Sequence, residues 1–401
     1  MVAISMKHYS SDKRLVPAIG GLLAQGLAGP LLLWVTATQA AILPEQRADA
    51  MYHSYDGGGV TIDGPSVLIR KNFAEAVSAS ANYYVDNVSS ASIDVITSGA
   101  SEYDEKRTEL SVGGDYLYDK SLFSAGYTNS DESDYSADTW YFSVSQDFFG
   151  DLSNLSFSYS RGDDEVRQNG NDDFEEEIVR HSYRLGLSQV LKPDLIMTFN
   201  YEVITDEGYL NNPYRSYRYL SDPLDPDAGY QFAQEVYPDT RTSDAANLRL
   251  LYYLPWRATL GASYRFFSDD WGIDAHTAQI SYTHTFRQRW ILDAKYRYYQ
   301  QSAADFYSDL FLAPSQDAKD YRARDKELSQ FSSNSLSLYL SYELPVRHRW
   351  LDKSAVSLQW DKIFFDYDNF SDLTDVAATP GQEALYNFNA DVIKMLITVW
   401  Y

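Results

Sequence analysis

The chain predicts an all-β fold: a transmembrane, antiparallel up-and-down β-barrel of about 16 strands, with short periplasmic turns and long extracellular loops. Three observations predict it. Apolar and polar residues alternate with period two from one end of the chain to the other. Tight turns alternate with longer polar connections. The last strand ends with the chain on an aromatic residue, Tyr401.

The alternation is plainest in the middle of the chain. Val179, His181, Tyr183, Leu185 and Leu187 oppose Arg180, Ser182, Arg184, Gly186 and Ser188. Leu195, Met197, Phe199, Tyr201 and Val203 oppose Thr198, Asn200 and Glu202. Leu248, Leu250 and Tyr252 form a third apolar row, followed by Leu260, Ala262, Tyr264 and Phe266. His276, Ala278, Ile280, Tyr282, His284 and Phe286 come next, and then Trp290, Leu292, Ala294, Tyr296 and Tyr298. Successive strand residues point to opposite faces, so each segment has one face fit for lipid and one for water. Earlier copies stand at Trp140-Phe142-Val144 and Leu155-Phe157-Tyr159, and a later one runs over Leu336, Leu338, Leu340 and Tyr342.

Tight turns fall near Asn72-Phe73, Asp119-Lys120, Gly150-Asp151, Lys192-Pro193, Pro255-Trp256, Arg287-Gln288 and Val346-Arg347. Polar connections lie near 57–65, 87–106, 129–138, 163–177, 207–240, 268–274, 302–330 and 368–388. Short turns at one rim and longer loops at the other are the habit of outer-membrane barrels, and an even strand number places both termini on the turn side. The terminal strand puts Ile393, Met395, Ile397, Val399 and Tyr401 on one face. Such a strand is an aggregation hazard unless it closes onto the first strand, and Tyr401 fits the terminal signal that barrel-assembly machinery reads.

The N-terminus fits export. Lys7, Lys13 and Arg14 precede an apolar stretch that gives way to Thr36-Ala37-Thr38-Gln39-Ala40-Ala41. Residues 1–40 are expected to be a signal peptide and 41–401 the barrel, with outer-membrane lipid as its surroundings. There is no Cys, which removes disulfides and thiolate chemistry, and no mature segment offers the apolar run of a membrane helix. A net charge of -24 speaks against nucleic acid, since a phosphate polyanion needs a basic footprint. The acidic run Asp172-Asp173, Glu175-Glu176-Glu177 reads as a solvated loop.

Three stretches carry a family resemblance: Tyr55 to Pro65 (YDGGGVTIDGP), Tyr83 to Asp94 (YYVDNVSSASID) and Asn212-Pro213-Tyr214-Arg215. They resemble a bacterial family that is a domain of unknown function whose members are outer-membrane barrels, and the resemblance runs from about Ala48 to Tyr401. It implies a setting more than an activity: related genes sit beside those for a thioredoxin-like protein, a small lipoprotein and a flavin transferase. The partners it implies are therefore periplasmic redox proteins or that lipoprotein. It assigns no site residues.

Charge on the polar parity is where chemistry can lie. Arg180, Arg184, Glu202, Arg249, Arg265, Asp293, Lys295 and Arg297 are expected to line the lumen, with Asp115 and Asp361. Such residues select permeants by charge in an open barrel, or brace a closed one through salt bridges. The arginines tilt the reading toward anions. The connection at 207–240 carries Tyr214, Arg215 and Arg218, which either stack on a ring-bearing solute or hold an ordered loop. Asp222, Asp225 and Asp227 lack the spacing of a calcium loop, because Pro223 and Pro226 intervene; no metal and no cofactor are expected.

The sequence thus supports a porin-like channel for small solutes, with a tilt toward anionic ones, and as the alternative a non-conducting scaffold for partners of an envelope redox system. A barrel-embedded hydrolase is the weakest reading. His181, His276 and His284 take the lipid-facing parity, His53 and His348 fall near strand ends, and no G-x-S-x-G or H-E-x-x-H motif is present.

Overall fold

The computed structural model describes residues 42–90, 103–317, 319–345, 349–374 and 378–401. The expected signal peptide at 1–40, the middle of the 87–106 connection, and the Val346-Arg347 turn with His348 lie outside the described residues.

Sixteen strands close into one antiparallel barrel. They are β1 (Arg47–Gly57), β2 (Val60–Phe73), β3 (Val77–Ser90), β4 (Tyr103–Tyr118), β5 (Ser121–Asp131), β6 (Tyr135–Phe148), β7 (Ser153–Gln168), β8 (Asn171–Lys192) and β9 (Leu195–Gly208), then β12 (Thr240–Leu254), β13 (Ala258–Asp269), β14 (Asp274–Phe286), β15 (Trp290–Gln301), β16 (Phe331–Glu343), β17 (Lys353–Ser371) and β18 (Leu385–Trp400). Two short strands, β10 (Ser216–Leu220) and β11 (Tyr230–Gln234), pair outside the ring. Among the described residues no helix is long and apolar enough to cross a membrane.

Register turns the alternation into two surfaces. Leu250 faces Ala262, which faces Ile280, Tyr296 and Leu336 in turn, an apolar row across five strands. One residue away, Arg249, Ser263, Gln279, Arg297 and Ser335 form a polar row. The apolar parity carries the exposed large side chains, among them Tyr183, Leu185, Phe199, Leu248, Ile280, Leu338 and Trp360. An apolar belt of this extent is untenable in water and natural in hydrocarbon. His181, His276 and His284 stand on this outer face, each hydrogen-bonded to a tyrosine at 2.6 to 3.0 Å. They stand among the aromatic side chains of that face.

β18 closes onto β1, with Tyr52 against Met395 and Ala50 against Ile397. Ile393, Met395 and Ile397 face outward as the sequence requires. The Tyr401 hydroxyl donates to the Arg70 carbonyl at 2.9 Å, and Lys71 lies over its ring at 5.0 Å, so the last residue clamps β18 and β2 across β1. Replacing Tyr401 with Asp is expected to lower the yield of folded barrel severalfold, read as the heat-modifiable band on a gel. Normal insertion of that variant would remove the terminal residue from the account.

The two rims differ more than the sequence suggests. At the turn rim the chain reverses so tightly that Ala74, Asp119, Phe149, Asp151, Arg257, Arg287 and Gln288 take positive φ. At the other rim several expected loops are strand instead. Gly58 and Gly59, both at positive φ, join β1 to β2, so 60–65 is strand. Asn169-Gly170 joins β7 to β8, and the acidic run from Asp172 to Glu177 lies within β8. The hairpins continue past the apolar belt because ladder hydrogen bonds need no lipid. Of the described connections, only 209–239, 302–330 and 372–384 are long.

Candidate functional site

The three long connections are knitted together over the barrel mouth. Tyr219 bridges to Phe311, Val236 to Arg322 and Tyr307 to Ala323. Beneath them lies a hydrophobic cluster that includes Leu210, Tyr237, Trp271, Ile273 and Leu328, packed on the barrel ends Tyr135, Val166 and Ile178.

The loop residues named from sequence are anchors of this lid. The Tyr214 hydroxyl donates to Asp134 at 2.7 Å and accepts from the Asn169 backbone N–H at 2.6 Å. Arg215 is buried and pairs with Asp325 and, at 3.5 Å, Glu327. Arg218 is 0 % exposed; it pairs with Asp309 and Glu383 and donates to the Asp309 carbonyl at 2.8 Å. Arg324 reaches the same Asp309 at 3.0 Å and stacks on Phe370 at 4.2 Å. These side chains are engaged with one another and with the barrel ends, which makes them fasteners of the 209–239 connection. Asp222 accepts locally from the Leu224 backbone N–H and Asp227 from the Thr379 hydroxyl of the 372–384 connection, and among the described residues they gather no site.

This lid spans the mouth. Asn169 sits between β7 and β8, whereas Glu383 precedes β18, and β7 and β17 are eight steps apart in either direction round the ring. The five residues from Tyr214 to Arg218 are therefore a strap fastened to opposite walls.

At the strap's first anchor three carboxylates meet. Glu105, Glu132 and Asp134 bring oxygens within 4.8 Å of one another, and one oxygen of each is buried without a donor. Burial and the adjacent Glu105 push Asp134 up to about 8 and Glu132 up to about 7. Since these folded values exceed the unfolded ones, the contribution to stability is full at low pH and is lost as pH rises from about 4 to about 8. Proteolysis of the strap is expected to be faster at pH 8.5 than at pH 5.5, with Asp134→Asn flattening the difference while keeping an acceptor for Tyr214. Equal rates at both pH values would contradict this.

Below the lid, the residues expected in the lumen divide into two sets. Arg180 donates to Asp164 at 2.8 Å, Arg184 to Glu202 at 2.6 Å, and Lys295 lies 3.3 Å from Asp293. Asp115 is held by Arg70 and Ser124, and Asp361 accepts from Gln359 at 2.8 Å. Each of these side chains is held by a neighbour. Arg249, Arg265 and Arg297 have no ion pair among the described residues; Arg265 stacks over Phe267 at 5.4 Å and Arg297 over Tyr299 at 5.5 Å.

A lumenal cluster escaped the sequence reading. His53 lies well inside β1, not at its end, with Nε2 2.7 Å from Asp86 Oδ1 and 3.0 Å from the Tyr84 hydroxyl, and its ring stacks on Tyr84 at 4.8 Å. The two longer family stretches meet here: β2 carries Gly64-Pro65 beside Val85-Asp86 of β3, and the ladder skips those residues because Pro65 has no N–H to give. The Tyr83 to Asp94 stretch was the signal, but its partner in space was not readable.

No curated protein sequence matches the chain. Among solved structures, one described as a bacterial polysaccharide outer membrane secretin aligns at 7% identity with a TM-score of 0.46, over 90% of this chain and 100% of its own. A Pseudomonas aeruginosa FadL homologue aligns at 9% and 0.44, over 89% and 90%. The CymD monoaromatic hydrocarbon channel aligns at 10% and 0.41, over 90% and 89%. Residues 179–357, from the middle of β8 into β17, match the model of a family described as protein of unknown function (DUF3570). Asn212 to Arg215 lies inside that match, so over residues 179–357 the chain is similar to that family, and the whole of the described chain forms a closed antiparallel barrel.

Proposed function

We propose that the protein is an outer-membrane channel for small solutes, anions preferred, entered from the turn rim and gated at the loop rim by the strap. The observation that carries this reading is the lumen wall at mid-height. Ser111, Gly113, Ser124, Gly126, Ser143, Ser156, Ser158, Gly186, Ser263, Ser281, Ser335 and Ser337 take the inward parity. Larger side chains stand among them, with Tyr141 over Gly113 and Gly126 and with Gln279 and Arg297 level with Ser263, but a ring of sixteen strands is of a size at which barrels hold water. Export through a cleaved signal peptide, and loops on the extracellular side, follow from the same reading.

The strap supports a second reading, a barrel that stays shut and serves as a docking scaffold for periplasmic redox partners or a small lipoprotein. An enzyme is disfavoured, since the partners of His53 are a carboxylate and a phenol and supply no nucleophile beside a base. Single-channel recording of the refolded barrel in a planar bilayer tests the choice, with a variant lacking 216–234 beside it. Current in either chain supports the channel, with gating by the strap if only the shortened chain conducts. Silence in both supports the scaffold.

A further inference from the structure

The wall from β12 to β15 carries three guanidiniums that no carboxylate meets among the described residues, although acids stand nearby. Those acids are engaged: Glu202 accepts from Arg184 and Ser182, Asp293 from Thr283 with Lys295 beside it, and Asp269 from Arg241. Among the described residues, the inward face of this wall therefore carries unbalanced charge at Arg249, Arg265 and Arg297.

Register sets their spacing. Arg249 pairs with Ser263, Ser263 with Gln279, and Gln279 with Arg297, so the two arginines share one level three strands apart. Arg265 sits between them, one inward position nearer the loop rim, at the level of Thr277 and Tyr299. At about 4.8 Å per strand the base of this triangle is about 14 Å, and arginine side chains are long enough to converge over its centre. The rings of Phe267 and Tyr299 back two of the guanidiniums. Stacking on a ring fixes the plane of a guanidinium and leaves its N–H edge free for paired bonds to an oxyanion.

Resting on the channel reading above, we infer that Arg249, Arg265 and Arg297 form a binding site for small organic dianions, with the charge on two carboxylates or on one phosphate. A monoanion meets one guanidinium at a time. A dianion bridges two, gaining a second set of charge-assisted bonds. Dicarboxylates and phosphate esters share this chemistry.

Calorimetric titration of the full-length barrel in detergent reads binding whether or not the barrel conducts. Succinate and glycerol phosphate are each titrated at constant ionic strength, with acetate as the monoanion. The site predicts that either dianion binds at least about tenfold more tightly than acetate, and that Arg265→Gln with Arg297→Gln abolishes the difference. The two dianions separate carboxylate from phosphate as the preferred group. Arg184→Gln, which removes a paired arginine outside the triangle, is expected to keep the preference. Folding of each variant is checked by heat-modifiable mobility; Arg265→Lys with Arg297→Lys, which keeps charge but loses the fork, is expected to retain part of it. Equal binding of acetate and both dianions to the wild type, or a preference unchanged in the folded double glutamine variant, overturns the site. Tight dianion binding by a barrel silent in bilayers would instead count against the channel and leave the site standing.

Discussion

Arg218→Ala is expected to unfasten the lid, raising single-channel conductance and exposing the 209–239 connection to protease while the barrel remains folded. Arg218 is fully buried and holds two carboxylates from different connections, Asp309 and Glu383. Removing it leaves two largely buried acids facing each other. Breaking a buried pair this way costs about 3–5 kcal/mol, because the remaining charges lose their partner and regain little solvation. The strands bear none of that cost, since their ladders do not pass through the lid. The loss is local: the 372–384 connection is freed from the strap, and the Asp309 carboxylate keeps Arg324 and the Ser371 backbone N–H. Arg218→Lys should give an intermediate effect, since an ammonium lacks the planar fork that reaches both carboxylates. Conductance and cleavage rate are measured on the same preparations; if both stay at wild-type values in Arg218→Ala, the strap is not held by this residue.

How much of this was legible in the sequence depends on what lies on either side of a strand. Between Val179 and Leu187 lipid bathes one face and water the other, so period two appears and gives the strand and its orientation. Between Asp172 and Glu177 both faces of the same strand see water, the pattern vanishes, and the segment reads as loop. The parity of the arginines was legible for the same reason. Which of them are free was not, because pairing depends on register: Arg184 meets Glu202 only through the alignment of β8 with β9. The lid was illegible in principle. Arg218 meets partners 91 and 165 residues away in connections that carry no periodicity, and only the closed ring brings them over one mouth.

Gly64→Ala is expected to have the other large effect, on the barrel itself. A Cβ at Gly64 would fall inside the van der Waals radius of the Val85 carbonyl oxygen, and the next nearest atoms, the Val85 carbonyl carbon and the Asp86 nitrogen, are also backbone. No rotamer change relieves that contact; β2 and β3 must part where Pro65 already leaves the ladder unpaired. Asp86 moves with β3, and it holds His53, so the displacement passes to β1, which closes the ring against β18. We expect a loss of about 3 kcal/mol, the upper end of overpacking costs, because the obstruction is main chain. Gly114→Ala is the matched control on β4: its Cβ would meet nothing nearer than the Ser78 carbonyl at 3.7 Å. Melting in detergent, followed by the loss of heat-modifiable mobility, should place Gly64→Ala well below wild type and Gly114→Ala beside it. Coincident melting of all three would mean that the β1–β3 seam yields more easily than its geometry implies, and that the meeting of the two family stretches does not support closure.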